Sequence, residues 1–258
     1  MLKRKRWLIA GIVLVIAVIV IFFLFQEVEI AEQPSSRSDA PTYGLRGSYP
    51  VGMRSLMIEG ESPLEITIWY PSLDADGYEM VTTYPFVFKL GGWFSRFGSL
   101  RIAKLGAQAI LEAPIDLSEA PYPVVVLSPG FSMGGSNYAW LAEHLASYGF
   151  VVVSPEHHEG MAPGMNDFWR ALVSRPQEIL TVFDYLDEQV ESGGDLEGLL
   201  DPQLAAVIGH SYGGYTTLAA AGARIDFDSF KQLCENTTNE QVPGRDLLCN
   251  PIVSHEEE

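Results

Sequence analysis

The sequence predicts an α/β domain built on a mainly parallel sheet and held behind a single N-terminal apolar segment. Three observations carry this reading. Short apolar runs alternate with helical patterns through the second half of the chain, a glycine-flanked serine follows the last of those runs, and the stretch from Trp7 to Phe25 has no charge.

That stretch is 19 residues long and free of proline, and at about 1.5 Å per helical residue it matches a hydrocarbon core of ~30 Å. Lys3, Arg4, Lys5 and Arg6 precede it and acids begin at Glu27, which by the positive-inside rule puts everything after Phe25 outside the cytoplasm. A cleaved signal peptide is the rival reading. Its apolar part is normally ~7 to 15 residues and leads to small residues, whereas Gln26-Glu27-Val28-Glu29 follows here. Residues 1–26 are thus expected to be a membrane anchor. Gln33 to Thr42 is polar, with Pro34 and Pro41 among serines, so 27–42 reads as a linker and the domain as 43–258.

Composition removes other classes. Sixteen Lys and Arg against 33 Asp and Glu give a net charge of −17, which argues against a nucleic-acid partner because phosphate is neutralised by basic stripes. Two cysteines build neither a disulfide framework nor a four-thiolate zinc site. No ligand cluster points to a metal or an organic cofactor, so none is expected.

Leu64, Ile66, Ile68 and Tyr70 alternate with Glu65 and Thr67, the period of a half-buried strand, and an earlier strand is expected around Met53 to Glu59. Val124–Leu127, Phe150–Val153 and Ala205–Ile208 are continuous apolar runs, which suit central strands covered on both faces. Tyr138, Leu141, Leu145 and Tyr148 repeat at helical spacing before Gly149. So do Ile179, Val182, Phe183, Leu186 and Val190, with Pro176 expected in the first turn. The aromatic-rich segment Tyr84 to Ile115 reads either as a buried insertion or as a lid or lipid-facing surface.

Ala205–Ile208 runs into Gly209-His210-Ser211-Tyr212-Gly213-Gly214 and then into a helix-compatible stretch. In that context G-x-S-x-G is a nucleophile elbow: a tight turn projects the serine hydroxyl above the sheet, and the glycines remove side chains that would collide. Ser211 is the candidate nucleophile. An oxyanion hole would take one backbone N–H from Tyr212 and a second from the loop Ser128-Pro129-Gly130-Phe131-Ser132-Met133-Gly134-Gly135, where Phe131 is the candidate. The plainer alternative is that Gly134-Gly135 simply turn the chain into the next helix.

Together with Val51-Gly52, Trp69-Tyr70-Pro71 and Ala113-Pro114, three longer stretches carry a resemblance. They are Tyr122 through Gly130, Leu145-Ala146-Ser147-Tyr148-Gly149-Phe150 leading to Pro155-Glu156-His157, and the elbow. From about Tyr43 to Ala223 the chain resembles the platelet-activating factor acetylhydrolase branch of the α/β-hydrolases, whose bacterial members are often labelled dienelactone-hydrolase-like. The resemblance implies a serine hydrolase of short-chain acyl or lipid esters. Pro129 stands where acetylhydrolases commonly have His, a variant also seen in cutinase-like polyester hydrolases. True dienelactone hydrolases use cysteine where this chain has Ser211.

In this fold the acid and the base follow the serine. Forty-seven residues follow Ser211 and contain no apolar run for another central strand; His255 is the one histidine there, and Asp226, Asp228 and Asp246 are the aspartates. The expectation is an α/β-hydrolase fold cut short after the elbow helix, with its C-terminal strands missing and both triad partners beyond residue 258. His144, His157, His158 and His210 are assigned structural or surface roles. Similar hydrolases often carry a cysteine pair in the segment after the elbow helix, so the resemblance and an oxidising compartment imply a Cys234–Cys249 disulfide. Two functions follow: a membrane-tethered serine ester hydrolase, or an inactive remnant serving as a membrane-anchored binding module.

Overall fold

The structure is a computed structural model that describes residues 28–29 and 41–254, apart from 75, 163–167, 192 and 243. The expected anchor and His255 lie outside these residues. Among the described residues no helix is long and apolar enough to cross a membrane.

The strands are β1 (Val28–Glu29), β2 (Val51–Ile58), β3 (Leu64–Pro71), β4 (Met80–Lys89), β5 (Ser99–Leu111), β6 (Tyr122–Ser128), β7 (Val151–Pro155) and β8 (Leu200–Gly209). The helices are α1 (Ala139–Ala146), α2 (Ala171–Gln189), α3 (Tyr212–Ala220), α4 (Phe227–Asn236) and α5 (Arg245–Ser254). One sheet runs in the order β1-β5-β2-β3-β7-β6-β8, with β4 paired to β5.

The sheet is mixed, which corrects the expectation of a mainly parallel one. β6 is parallel to both β7 and β8, but β3 is antiparallel to β2 and to β7, and β4 is antiparallel to β5. Strand periodicity reports which faces are covered and carries no direction, so the first half of the sheet could not be oriented from its pattern. The segment Tyr84 to Ile115 forms much of the β4–β5 hairpin, whose strands are joined through a 3-10 turn at Gly92–Phe97.

Both faces of β6 and β7 are covered, which is why their sequences run apolar without a break. Val124, Val126, Val151 and Val153 pack with Ile179, Val182 and Leu186 of α2. On the other face Val125, Leu127 and Val152 pack with Ala139, Ala142 and Ala146 of α1. A fully buried Val, Ile or Leu contributes about 1.5–3 kcal/mol, so these two layers fix the register of the central strands. The chain passes from β6 through α1 to β7, then back through α2 to β8 on the far side of β6. Right-handed crossovers running in opposite directions put their helices on opposite faces. The loops after β6 and β8 therefore emerge side by side at the C-terminal strand ends, where ligands collect in such sheets.

Pro176 lies inside α2 and not in its first turn, because the helix begins five residues earlier, at Ala171. Proline has no N–H for the carbonyl four residues back, here that of Leu172. The Tyr215 hydroxyl of α3 donates to that carbonyl at 3.0 Å. The helix thus tolerates the proline because its neighbour replaces the missing donor. Cys234 and Cys249 are joined in a disulfide between α4 and α5, with their Cα atoms 5.6 Å apart.

This pairing sets an expectation. Tyr215→Phe should lower the unfolding free energy by about 1 kcal/mol, the usual net value of one hydrogen bond. In a Pro176→Ala background, where the substituted residue brings an N–H of its own to the Leu172 carbonyl, the same change should cost less. Equal losses in both backgrounds, read from urea midpoints, would show that the hydroxyl does not replace the proline's missing donor.

Candidate active site

β8 ends at Gly209 and α3 begins at Tyr212, so the chain must reverse within two residues. It does so through Ser211, whose φ of 54° and ψ of −118° are costly for a residue with a side chain, of order 1–3 kcal/mol. The glycines make the turn possible. A Cβ on Gly209 would stand 2.0 Å from the Gly213 carbonyl oxygen, and one on Gly213 would stand 2.1 Å from the carbonyl oxygen of Ser128 on β6. Ser211 itself is exposed, at the N-terminus of a helix whose first N–H groups favour negative charge.

The loop after β6 is shaped by a second left-handed residue, Ser132, with φ of 64°. All its polar groups are engaged. Its N–H donates to Glu159 Oε1 at 3.0 Å, and its Oγ donates to the Lys89 carbonyl at 2.5 Å and accepts from Met161 N–H at 2.9 Å. Its carbonyl accepts from Lys89 N–H at 2.7 Å. This fixes the backbone around Phe131. The structure brings Phe131 and Tyr212 together: their rings lie 5.6 Å apart, and both meet Phe168.

Beneath them sits a buried polar assembly that the sequence reading missed. Arg175 of α2 is fully buried. Its guanidinium donates to the carbonyls of Pro129 and Gly130 at 2.7 and 2.9 Å and pairs with Glu159. It also lies 5.2 Å from the centre of the Tyr212 ring. Burial alone would raise the Glu159 carboxyl, but the hydrogen bond and charge of Arg175 outweigh it and hold Glu159 below the usual range. The signal was present in the sequence: Arg175 stands four residues before Ile179 and occupies the same buried stripe as Ile179, Val182 and Leu186. A charge on the apolar face of a helix needs a buried partner.

Three of the described histidines also serve this scaffold. His157 is buried between Ser128 Oγ, 2.9 Å from its Nε2, and Glu178 Oε2, 2.5 Å from its Nδ1. A carboxylate only accepts, so Nδ1 carries the proton and Nε2 accepts from the Ser128 hydroxyl. Burial pushes the His157 imidazolium pKa down, against the pull of Glu178. For Glu178, burial raises the pKa, but hydrogen bonds and charge from His157 and His158 bring it to about 2. His158 is raised: burial opposes its charge, and its bonds to Glu178 and the Pro63 carbonyl prevail. His210 Nδ1 lies 2.8 Å from the Tyr138 hydroxyl, which also accepts from Gly130 N–H at 3.2 Å. That hydroxyl ties the elbow to the loop after β6.

Among the described residues, none hydrogen-bonds the Ser211 hydroxyl. Asp226 caps α4 by accepting from Ser229 N–H at 3.1 Å, Asp228 lies in the first turn of α4, and Asp246 pairs with Arg245. In the sheet as described β8 is an edge strand, with Leu204 and Ile208 exposed on it. No cluster of side chains among the described residues is arranged to hold a metal.

A serine at a strained strand-to-helix turn, beside a glycine-bearing loop from the neighbouring parallel strand, defines an α/β-hydrolase. Residues 100–239 match the family described as PETase, PET hydrolase-like. The chain belongs to the PET hydrolase-like family. It is 33% identical over 126 residues to a bis(hydroxyethyl) terephthalate hydrolase of Streptomyces coelicolor, covering 49% of this chain and 36% of that protein. It is 30% identical over 144 residues to Cutinase 2 of Thermobifida cellulosilytica, covering 52% of this chain and 51% of that one. Among solved structures, a ferulic acid esterase from Streptomyces cinnamoneus aligns with a TM-score of 0.48 and 24% identity, covering 76% of this chain and 58% of that one. The chain thus spans about half or less of the curated relatives named here. The two curated relatives bear the names of ester hydrolases and do not single out the acetylhydrolase branch that the motifs resemble.

The Glu178 network has a pH signature. A carboxyl lowered from 4.5 to about 2 in the folded state stabilises the fold above its unfolded pKa, and that contribution is lost as pH falls from about 4.5 to about 2. Glu178→Gln should therefore be less stable than the parent by a few kcal/mol near neutral pH, at about 1.4 kcal/mol per unit. The gap should close over that acid interval when urea midpoints are measured at each pH. A gap independent of pH would reduce Glu178 to a packing role.

Proposed function

We propose that this chain is the nucleophile-bearing part of a serine carboxylic-ester hydrolase, held at the outer face of a membrane by residues 1–26 and acting on short-chain acyl or lipid-borne esters. The observation that carries the reading is Ser211 at φ 54° in the turn between β8 and α3. Ser211 Oγ attacks the ester carbonyl carbon. The carbonyl oxygen takes up the electron pair and is met by the N–H groups of Tyr212 and Phe131, and collapse expels the alcohol and leaves an acyl-serine. Water then attacks the acyl carbon and releases the acid.

Both steps need a base to take the proton from Ser211 and from water. His157, His158 and His210 are engaged in the scaffold, so the proposal puts the acid and the base outside the described residues, beside the apolar edge of β8. The tether and the extracytoplasmic side rest on the charge pattern around Trp7–Phe25. The names of the relatives support an ester substrate, and the resemblance noted in the sequence supports a small or lipid-borne acyl group. One observation favours a second reading for the 258 residues taken alone: the Ser211 hydroxyl has no base among the described residues, as suits an inactive, membrane-anchored binding module.

The readings separate in activity. The 258-residue chain should hydrolyse p-nitrophenyl acetate only in trace, because loss of triad members costs several orders of magnitude while an oxyanion hole alone retains ~10³ to 10⁴-fold over water. A chain extended through a downstream Asp and His should turn over short acyl esters and label with a fluorophosphonate, and Ser211→Ala should abolish both. An extended chain that binds esters without turnover would support the binding module. Efficient turnover by the short chain, lost in His255→Ala, would make His255 the base.

A further inference from the structure

The β4–β5 hairpin differs in charge from the rest of the chain. From Met80 to Leu111 there is no acidic residue, while Lys89, Arg96, Arg101 and Lys104 are basic, in a protein of net charge −17. Lys89 is turned inward to Glu156 and the His157 carbonyl; Arg96, Arg101 and Lys104 are exposed.

The tip of the hairpin is aromatic and uncovered. Trp93 is 57% exposed and Phe97 62%. Trp93 meets Phe94 at a tilt and Phe97 edge to face, at centroid distances of 4.4 and 5.7 Å. The Arg96 guanidinium lies over Trp93, 4.5 Å from the ring centre, and donates to the Trp93 carbonyl. Tryptophan with an adjacent arginine suits the headgroup layer of a bilayer, where the ring meets acyl chains and the cation meets phosphate.

Two further contacts place this tip. It abuts the candidate site, since Gly91 N–H donates to the Met161 carbonyl and Lys89 N–H to that of Ser132. On the other side, β1 lies along β5, pairing Val28 with Ala103 and Glu29 with Lys104. The apolar run ends at Phe25, three residues before Val28, so at most about 11 Å of chain separates its end from the hairpin.

We infer that the β4–β5 hairpin docks on an anionic phospholipid surface, with Trp93 and Phe97 at the headgroup level and Arg96 and Arg101 on lipid phosphates. The inference deepens the membrane-held reading by naming the face turned to the lipid. Elsewhere the acidic domain is repelled by an anionic leaflet, so one orientation is favoured, and it turns the hairpin tip that touches Ser132 and Met161 to the membrane. A second copy is a poorer occupant because two such basic hairpins repel each other. An uncharged aromatic substrate would bring no anion to the charges of Arg96 and Arg101.

The test uses the full chain in vesicles of phosphatidylcholine, with or without phosphatidylglycerol, and an environment-sensitive dye at Phe97→Cys. With phosphatidylglycerol present the emission should shift to the blue and be quenched by spin-labelled lipid, and high salt should reverse both changes. The same dye at Leu73→Cys, exposed near the opposite end of β5, should stay in water. Arg96→Gln with Arg101→Gln should lower the docked-to-undocked ratio roughly 30-fold, from about 1 kcal/mol per basic residue near an anionic surface. A water-like Phe97 label in both lipids overturns the inference. A shift that appears without vesicles assigns the face to a second copy and also overturns it. An alkaline carbonate wash reads the anchor separately: if the protein is released yet the label still shifts in anionic vesicles, the tether fails and the docking face stands.

Discussion

The site depends on the burial of one cation. A guanidinium is a cation with five donors and no acceptor, so Arg175, fully enclosed, has to find acceptors. It finds them in the carbonyls of Pro129 and Gly130 and in Glu159, and these belong to the loops after β6 and β7. The same group lies against the ring of Tyr212, the first residue after the elbow serine. One side chain from α2 thus joins two loops and a helix N-terminus. Its planar fork spans acceptors in a way that a single ammonium does not.

The other contacts build on that junction. Glu159, held ionised by Arg175, receives Ser132 N–H and supports the left-handed turn beside Phe131. Glu178, His157 and Ser128 form a buried chain of bonds ending on β6 where Gly213 comes closest. The Tyr138 hydroxyl bridges Gly130 and His210. The two strained residues of the site, Ser132 and Ser211, therefore lie where surrounding bonds over-determine the backbone. These bonds hold the loop that carries Phe131 and the turn that carries Ser211. The face beside β8 is open among the described residues, with Leu204 and Ile208 exposed on it.

Much of this was legible in the sequence, and for identifiable reasons. Val124–Leu127 and Ala205–Ile208 are short apolar runs bounded by Ser or Gly, so β6 and β8 were readable as strands, and the spacing of Gly209, Ser211 and Gly213 gave the elbow. The direction of the early strands was not legible, because alternation in Leu64–Tyr70 is the same whichever way a neighbour runs. Pro176 was placed in a first turn because its replacement donor, Tyr215, lies 39 residues away in the sequence. His157 was assigned a structural role, but its partners and the buried Arg175, Glu159 and Glu178 were missed for a similar reason: their bonds cross loops whose approach no local period encodes. The one local clue was a charge on the stripe that continues through Ile179 and Val182.

The claim that Arg175 holds the elbow and the loop after β6 as one unit is tested most directly by amide hydrogen exchange in Arg175→Lys, which keeps the charge and loses the fork. The account expects exchange to rise together in Gly130–Met133 and in Tyr212–Gly214, with β2 and β3 unchanged. Faster exchange in the loop alone, with the elbow as protected as in the parent, would contradict it.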